Sequence, residues 1–415
     1  MNKNSIKNIY IPKLRFKGFD KKYKNVKLKD ISTYKKGKDF SKKDLDDNGK
    51  NPIILYGDLF TQYTSIIKNI NQFTNESGGY LSKRNTLLFP SSSTSLNDFF
   101  PCSAIDIENV ILGSDINIFE FNINNSAMYF SYLFSTAYHL KNIFKLTEGS
   151  TINHLYGRYL ESYNLMIPEI NEQEKITKFF SLLDQQISLL ENKLQLIEQK
   201  LKYFINKLLK TYNGFPKIRF KGFDDIWMND YIKNIFTITR GLVIAKNKII
   251  KEGNEKFCYP VYSSQTENNG LMGYYNEYLY ENSITWTTDG AKAGTVNYRN
   301  QKFYCSNVCG VLLEKEYKPN LCLSLIIQRE SKKYVVKDLG NPKLMNNVMA
   351  KIKIYFPNQI EEQEKISHFL NLFKIQQKLI NNQLAKIKQK KEYFLKSMFI
   401  NSVQKGGGNY DRNSF

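Results

Sequence analysis

Apolar residues recur at alternating steps of four and three along two long stretches of the chain. This spacing is typical of a coiled-coil seam and predicts two long helices. The first seam comprises Ile176, Phe180, Leu183, Ile187, Leu190, Leu194, Ile197, Leu201, Phe204 and Leu208. The second, displaced by 190 residues, comprises Ile366, Leu370, Phe373, Gln377, Ile380, Leu384, Ile387, Lys391, Phe394 and Met398. Neither helix can bury its stripe alone, so we predict that the two pair as an antiparallel coiled coil.

Two polar residues, Gln377 and Lys391, interrupt the second seam. Polar residues buried in a seam lower its stability and can fix the register of the two helices. For Lys391, a position at an exposed helix end explains the residue equally well. The sequence leaves both interpretations open.

Short apolar and β-branched runs precede each long helix and predict mixed α/β domains. Clusters of Gly, Ser and Asn separate these runs, as expected between strands. The pattern predicts an amphipathic helix over Ala127–Leu146 in the first domain and a helix over Leu321–Glu330 in the second. The predicted strands fall within 51–60, 85–89, 116–123, 256–264, 283–288, 294–297, 303–306 and 308–313. The fold class predicted is therefore α+β.

Two blocks of sequence each occur twice, in the order A, B, A, B. Block A reads IPKLRFKGFD at 11–20 and FPKIRFKGFD at 215–224, and block B reads EQEKI at 172–176 and 362–366. Repeats in a fixed order indicate a pseudo-two-fold internal repeat. The predicted segments are a first domain (1–168), a first helix (169–212), a second domain (213–357), a second helix (358–404) and a disordered tail (405–415).

The chain is strongly basic, with 60 Lys and Arg against 39 Asp and Glu and a formal net charge of +21. Such an excess favours a polyanionic partner, because neutralising phosphates releases counterions. A generally Lys-rich composition is the alternative explanation. Helices of ~35 residues are about 50 Å long, more than the ~34 Å of one DNA turn. Domains at opposite ends of such a rod could each contact their own half-site.

The sequence lacks the features of a secreted protein, of a membrane span and of a zinc site. No apolar run matches a signal peptide or the ~20 residues that span a bilayer, so we expect a cytoplasmic protein without membrane contact. The five cysteines lack the CxxC or Cys/His pairs of a zinc site, so we expect free, buried thiols and no metal. These cysteines are Cys102, Cys258, Cys305, Cys309 and Cys322.

The ordered set of features resembles the specificity subunit of a Type I restriction-modification system. The resemblance is carried by the A, B, A, B layout, by the openings Pro12–Phe16 and Pro216–Phe220, and by the EQEKI entry into each helix. The stretch 285–313 and the motif LLFPSSS at 87–93 also resemble blocks of target-recognition domains in that family. Together these features cover nearly the whole chain.

The resemblance implies a protein without catalysis of its own. Such a subunit reads a bipartite double-stranded DNA sequence, with one half-site per target-recognition domain, and its helices bind two methylation subunits. It implies no cofactor on this chain, with S-adenosylmethionine, ATP and magnesium on partner subunits. Whether two restriction subunits also join is left open. The chain has neither a GxxxxGK[ST] phosphate loop nor an Asn-Pro-Pro-aromatic methyltransferase motif. A stand-alone DNA-binding protein and a coiled-coil scaffold are the alternative functions.

The resemblance implies that recognition domains diverge with their targets, so it assigns no DNA-contacting residues. The candidates therefore rest on the chemistry of their side chains. Basic and amide-bearing residues near small residues can reach phosphates or base edges. The first-domain candidates are Lys35, Lys36, Lys38, Lys42, Lys43, Arg84, Ser91, Ser92, Ser93 and Thr94. The second-domain candidates are Arg240, Lys246, Lys248, Tyr262, Ser263, Ser264, Gln265, Thr287, Thr288, Asp289, Lys292 and Arg299. We expect Gln265 or Arg299 to read bases directly; solvated surface and tight turns are the structural alternatives.

Overall fold

The chain forms two compact units in the computed structural model, which describes residues 12–93, 101–264, 267–336 and 340–400. The first unit comprises residues 1–190 and 383–415, and the second comprises residues 191–382. Each unit therefore contains one predicted domain and part of both long helices. The predicted tail at 405–415 lies outside the described residues. Within those residues, no helix is both long enough and apolar enough to cross a membrane.

The first unit is a mixed α/β domain that leads into a long helix. Its strands are β1 (Lys24–Lys27), β2 (Ser32–Lys36), β3 (Asn51–Ile54), β4 (Ile66–Ile67), β5 (Phe73–Thr74), β6 (Tyr80–Leu81), β7 (Thr86–Pro90), β8 (Ser92–Ser93), β9 (Ser103–Ile105), β10 (Ile111–Leu112), β11 (Ile116–Phe121), β12 (Asn153–His154) and β13 (Asn164–Ile167). Its helices are α1 (Leu28–Ile31), α2 (Asp58–Thr61), α3 (Ala127–Phe134), α4 (Ala137–Phe144), α5 (Gly157–Glu161) and α6 (Ile170–Leu209), which continues into the second unit.

The position of β7 inside a sheet explains why this strand is a continuous apolar run rather than an alternating one. It lies inside a five-stranded sheet of order β2-β11-β7-β9-β4. Leu87 and Phe89 face a core shared with α3, whereas Leu88 faces a second core on the other side of the sheet. A strand covered on both faces buries successive residues alike. A four-stranded sheet of order β5-β3-β10-β6 completes the unit, with the two-stranded pairs β1-β13 and β12-β8.

The predicted helix over Ala127–Leu146 is broken into two, α3 and α4. Thr136 has an extended backbone, with φ −70° and ψ 144°. The hydroxyls of Ser135 and Thr136 donate to the carbonyls of Tyr132 and Leu133, three residues earlier. Hydroxyls that bond the backbone in this way compete with helical hydrogen bonds. The prediction of one continuous helix was therefore wrong at this Ser-Thr pair.

The second unit repeats this architecture with its own elements. Its strands are β14 (Thr211–Tyr212), β15 (Phe215–Pro216), β16 (Met228–Tyr231), β17 (Phe236–Arg240), β18 (Tyr259–Tyr262), β19 (Leu271–Tyr275), β20 (Ser283–Thr287), β21 (Val296–Arg299), β22 (Tyr304–Cys305), β23 (Cys309–Glu314) and β24 (Lys353–Phe356). Its helices are α7 (Ile232–Ile235), α8 (Leu321–Ser331), α9 (Asn346–Ala350) and α10 (Ile360–Met398), whose last part, from Gln383, belongs to the first unit.

The two units share one strand arrangement. In the first, β11 pairs antiparallel with both β2 and β7. In the second, β23 pairs antiparallel with both β17 and β20. The main sheet of the second unit has the order β17-β23-β20-β21. The unit also contains the two-stranded sheets β14-β15 and β16-β24 and a three-stranded sheet of order β19-β18-β22. The predicted mixed α/β architecture with two long helices is confirmed.

An arginine of block A and a glutamate of block B meet in each unit, which explains why both blocks are repeated. Arg15 donates to both carboxylate oxygens of Glu172, with Nε–Oε1 at 2.7 Å and Nη2–Oε2 at 2.6 Å. Arg219 and Glu362 form the same pair, with both distances 2.8 Å. The glutamates are 0% and 1% exposed. Bidentate pairs of this kind fix geometry as well as charge. We call each pair an Arg–Glu clamp.

The glutamine that follows the clamp glutamate in block B forms hydrogen bonds between the long helix and the domain that precedes it. Gln173 Nε2 donates to the carbonyl of Pro168, and its Oε1 accepts from the Ser126 amide at the start of α3. Gln363 does the same in the second unit, where Nε2 donates to Pro357 and Oε1 accepts from Asn320, the residue that caps α8. Block B is thus the joint between domain and helix.

In each unit the phenylalanine that follows the clamp arginine in block A packs against the long helices. In the first unit Phe16 lies 5.9 Å from Phe179 of α6, which lies 4.9 Å from Phe394 of α10. In the second unit Phe220 lies 5.8 Å from Phe369 of α10, and a further 4.9 Å separates Phe369 from Phe204 of α6. The same edge-to-face chain of three rings therefore occurs twice, with the roles of α6 and α10 exchanged.

The polar residue Lys391 has a partner on the facing helix. Within the first unit, Lys391 forms an ion pair with Asp184 of α6, and the Tyr132 hydroxyl donates to the same carboxylate at 2.9 Å. Both charged side chains are about four-fifths buried, at 21% and 22% exposed. Lys391 is therefore a paired seam residue and not part of an exposed helix end. Contacts within this unit join Phe179 to Phe394 and Asp184 to Lys391, so the two segments run in opposite directions.

Candidate nucleic-acid interface

Several of the candidate residues lie at one structural feature of each unit, the end of the central strand. In the first unit the Ser91 amide donates to the Asp115 carbonyl at 2.7 Å, and the Leu155 amide donates to the Ser91 carbonyl at 2.9 Å. In the second unit Thr288 is held in the same way, by the Val308 carbonyl at 3.1 Å and the Leu344 amide at 2.8 Å. Two flanking loops therefore fix both strand ends in place.

The serines at the end of β7 are less accessible than the sequence suggested. Ser91 and Ser93 are 9% and 6% exposed, and only Ser92 is half-buried. Ser92 and Ser93 pair with β12. Thr94, the last of this group, lies outside the described residues. Ser91 and Ser93 therefore shape the strand end more than they present hydroxyl groups to a ligand.

Arg84 does not belong with these serines. It precedes β7, whereas Ser91 follows it. At about 3.3 Å per residue, the strand separates the two by about 20 Å. Arg84 is exposed and forms a loose ion pair with Glu108 at 3.5 Å. The structure therefore corrects the sequence-based grouping of Arg84 with Ser91, Ser92, Ser93 and Thr94.

The first-unit lysines are exposed, but they do not form one loop. Lys35 and Lys36 lie on the edge strand β2, Lys38 lies in the following bend, and Lys42 and Lys43 lie in a single 3₁₀ turn. Gly37, between them, is buried, and a Cβ there would lie 2.0 Å from the Gly113 carbonyl oxygen. The glycine thus serves close packing of the chain on itself rather than close approach of DNA.

The basic residues of the second unit have equivalent positions. Arg240 ends the edge strand β17, and Lys246 and Lys248 lie in a 3₁₀ turn like that of Lys42. All three side chains are exposed. The two units therefore present basic residues at the same place in the fold.

Arg299 is a buried residue of the second unit. It is 9% exposed, and its guanidinium carbon lies 3.5 Å from the centre of the Tyr262 ring. Its Nε donates to Thr285 Oγ1 at 3.1 Å and its Nη2 to the Asn269 carbonyl at 2.7 Å. Burial lowers the pKa of Arg299. These contacts hold the loop at Asn269 against the sheet, so direct base reading by Arg299 would require the side chain to leave its present site.

A pocket of about 200 Å³ opens beside Arg299 and brings several candidates together. Ser263, Thr287 and Lys292 line it along with Arg299. Thr287 is 7% exposed, Ser263 and Ser264 are half-buried, and Lys292 is exposed. Gln265, the second proposed base reader, lies outside the described residues. Of this group, Lys292 is the most accessible to a polyanion.

Thr288 and Asp289 are committed to the turn after β20. The Thr288 hydroxyl lies 2.9 Å from the Val308 carbonyl oxygen and 2.8 Å from Asp289 Oδ2. Asp289 also lies 4.0 Å from Lys343 Nζ. Gly290 has φ +97°, a conformation that favours glycine. The turn reading of this motif accounts for each of these contacts.

Sequence reasoning missed a group of exposed side chains in the first unit. His154, Tyr156 and Arg158 are exposed; His154 ends β12, where it pairs with Ser92, and Tyr156 and Arg158 follow that strand. The sequence Tyr156-Gly157-Arg158-Tyr159 interleaves aromatic and basic residues, which is a recognised signal for nucleic-acid contact. Attention to this tetrapeptide would have identified the group.

The cysteines differ from the sequence prediction at one position. Cys102, Cys305, Cys309 and Cys322 are buried, but Cys258 is exposed. Burial raises the pKa of Cys309 to about 11, so its thiol stays protonated at neutral pH. Within the described residues, no group of three or more His, Cys, Asp or Glu side chains could hold a metal ion.

Comparisons with known proteins agree on one family. The model of the Type I restriction modification DNA specificity domain matches residues 20–199 and 225–389. The chain is 38% identical over 180 residues to the specificity subunit of the Type I restriction enzyme MpnII of Mycoplasma pneumoniae, covering 42% of this chain and 52% of that protein. A second Mycoplasma pneumoniae protein, named as a candidate type I specificity subunit, is 38% identical over 181 residues, covering 43% and 48%.

The chain spans about half the length of these two relatives. The fold is also similar to the crystal structure of a Type I restriction-modification S subunit from M. genitalium, with a TM-score of 0.68 and 15% identity. That match covers 94% of this chain and 99% of the other. At this identity the likeness concerns the fold.

Proposed function

Because the chain belongs to the family of Type I restriction modification DNA specificity domains, we propose that it selects the DNA sequence for a Type I restriction-modification complex. Each unit would read one half of a bipartite double-stranded target. The observation that carries this proposal is the repetition of one scaffold, fixed by the same Arg–Glu clamp, with different residues at the equivalent strand ends. A repeated scaffold with divergent tips suits two half-sites of different sequence.

The charge supports DNA as the partner. The net charge of +21 would draw the chain to a polyanion without regard to sequence. Exposed basic residues occupy equivalent edge positions in both units, at Lys36 and Arg240. A partner that meets both units would find positive charge at both.

We further propose that the long helices recruit two methylation subunits. Along α6, Leu182, Leu189, Leu196 and Tyr203 repeat at intervals of seven and are 49 to 68% exposed. On α10, Leu372, Leu379 and Tyr393 stand 190 positions later and are 45 to 57% exposed. Heptad spacing places residues on one helix face. An exposed apolar face of this kind fits an amphipathic helix of a partner protein.

Catalysis would belong to those partners. In this proposal S-adenosylmethionine binds the methylation subunits, and ATP with magnesium binds restriction subunits where these are present. This chain contributes the positioning of DNA and the attachment of its partners. Its sequence contains neither a GxxxxGK[ST] phosphate loop nor an Asn-Pro-Pro-aromatic methyltransferase motif.

Genome-wide adenine methylation, compared in cells with and without the gene, tests the proposal. We expect deletion to remove methylation from one motif, composed of two short halves around a fixed unread spacer. Re-expression of the gene should restore it. An unchanged methylome, with expression verified, would refute the role in methylation and favour a stand-alone DNA-binding protein.

Recruitment is tested separately by co-purification with the methylation subunit. Leu189→Glu and Leu379→Glu change side chains that are 68% and 57% exposed, so the fold should survive. We expect both variants to lose the partner. Ile123→Glu is the matched control, because Ile123 is 91% exposed and lies outside both long helices. Equal retention of the partner by all three variants would exclude this face as the docking surface.

A further inference from the structure

Arg158 of the first unit is exposed to solvent, yet its side chain is held in place. Its guanidinium carbon lies 4.8 Å from the centre of the Tyr156 ring and 4.9 Å from that of Tyr159. Its Nη2 donates to the Tyr159 hydroxyl at 3.2 Å. Glu148, the nearby acid, accepts a hydrogen bond from the Tyr159 hydroxyl. Within the described residues no carboxylate forms an ion pair with Arg158.

The backbone beneath Arg158 is fastened to the central sheet. The Asn117 side chain, 1% exposed, donates to the Leu155 carbonyl at 2.8 Å and accepts from the Tyr34 hydroxyl at 3.0 Å. Gly157 packs against Tyr34 so closely that a Cβ would lie 2.1 Å from the ring. The segment that carries Arg158 is therefore part of the rigid scaffold rather than a free loop.

Arg158 also has a basic neighbour on the same side of the sheet. Lys36 pairs with Asn117 and Tyr34 with Phe119 across the β2-β11 ladder. Directly opposed residues, and residues two apart on one strand, share a sheet face. Lys36 is thus on the face that Leu155 and Gly157 cover, and it is exposed. Lys36 and Arg158 therefore lie on the same side of the sheet, near the end of β7.

The equivalent position in the second unit carries a different polar side chain. Leu155 and Leu344 both donate their amides to the carbonyl of the residue that follows the central strand, Ser91 and Thr288 respectively. Counting three residues on from each places Asn347 where Arg158 stands, near the start of the five-residue helices α5 and α9. Asn347 is exposed as well. Arginine suits guanine and asparagine suits adenine in the major groove.

We propose that Arg158 reads a guanine in the half-site bound by the first unit, an inference that rests on the proposed function. A guanidinium presents paired donors that match O6 and N7 of guanine. The two tyrosine rings hold this fork before DNA arrives, so little side-chain entropy remains to be lost on binding. Lys36 supplies a neighbouring contact to phosphate.

Selection from a random-sequence duplex library tests this inference. The full-length protein, co-expressed with its methylation subunit, is used to enrich bound DNA, and the bound pool is sequenced. For the wild type we expect a bipartite motif. For Arg158→Ala we expect the preference for guanine at one position of one half to fall about 5- to 150-fold. The other half-site should be unchanged and serves as an internal control.

Arg158→Lys separates base reading from phosphate contact. Lysine keeps the charge but loses the planar fork, and its ammonium can still donate to O6 and N7, so we expect a smaller loss of guanine preference than for Arg158→Ala, with overall affinity largely retained. Lys29→Ala, which removes another exposed cation of the first unit, should leave the motif intact. Hydrogen exchange of the first unit verifies folding of each variant.

Three results would overturn the inference. An unaltered motif for Arg158→Ala would remove the residue from the interface. Uniformly weaker binding with an intact motif, restored by Arg158→Lys, would assign it to phosphate. Relaxation of both half-sites together would indicate a structural effect. Failure of the wild type to select any bipartite motif would instead refute the proposed function.

Discussion

The Arg–Glu clamp of the first unit should depend more on its arginine than on its glutamate. Glu172 is fully buried, whereas the Arg15 side chain is 14% exposed. Arg15→Met would leave a buried carboxylate with one remaining side-chain donor among the described residues, the Tyr23 hydroxyl at 3.3 Å. Removing one partner of a buried pair destabilises by about 3 to 5 kcal/mol. We expect that range for Arg15→Met.

Glu172→Gln should destabilise less, because Arg15 lies near the surface and can be hydrated. The loss is then about that of a hydrogen bond to a charged group, about 1.5 to 3 kcal/mol. The double variant should be less destabilised than Arg15→Met alone, because a neutral amide at position 172 leaves no buried charge unpaired, so the coupling energy should exceed about 1.5 kcal/mol in magnitude. Lys21→Met is the matched control: its ion pair with Glu169 is exposed, at 77% and 32%, and should contribute less than about 1 kcal/mol.

The assay must resolve one unit from the other, because unfolding of a chain with two compact units is not a two-state process. Native-state hydrogen exchange, read by mass spectrometry on peptides covering β1 and the start of α6, reports the opening free energy locally. Peptides around the intact Arg219–Glu362 clamp provide the internal control. An Arg15→Met effect no larger than that of Lys21→Met would refute the reasoning.

Three further predictions concern the first unit. Burial lowers the pKa of His139 to about 3 from 6.5, so between these pH values only the unfolded chain gains a proton and stability should fall by about 2 kcal/mol at pH 5; native-state hydrogen exchange of first-unit peptides should show this, and a pH dependence unchanged in His139→Phe would contradict it. Lys391→Leu alone should destabilise by about 1 kcal/mol, whereas Asp184→Asn with Lys391→Leu removes the unpaired charge, keeps an acceptor for the Tyr132 hydroxyl and should be less destabilised in the same hydrogen-exchange assay; a double variant less stable than the single would show the reverse. Gly157→Ala should destabilise the first unit by about 1 to 3 kcal/mol, and adding Tyr34→Leu should reduce this loss in the same hydrogen-exchange assay; no rescue would place the strain elsewhere.

Hydrophobic periodicity predicted the elements well because burial governs where they form. The long helices span Ile170–Leu209 and Ile360–Met398, inside the predicted 169–212 and 358–404. The break at Ser135–Thr136 escaped prediction because side-chain hydroxyls ended a helix whose apolar pattern continued. Local polar chemistry overrode the period there.

The partners of the repeated blocks could not be predicted from the sequence. Arg15 and Glu172 are 157 residues apart, and Arg219 and Glu362 are 143 apart. A single sequence shows that two blocks repeat but not which of their residues touch. The burial of Arg299 was likewise not predicted, because a charged side chain usually lies at the surface. Here the face of the Tyr262 ring and two hydrogen-bond acceptors stabilise the guanidinium in a buried position.

The division between repeated and unrepeated residues has a physical basis. The Arg–Glu clamp lies at the joint between domain and helix, where a change leaves a buried charge unpaired, so both units retain it. Arg158 and Asn347 occupy equivalent exposed positions on fastened backbone, where exchange alters the exposed chemistry and leaves core packing intact. Surface substitutions of this kind usually change stability by less than about 0.5 kcal/mol. Under the proposed function, the fold could therefore acquire a new target at its strand ends without disturbing the joints that position them.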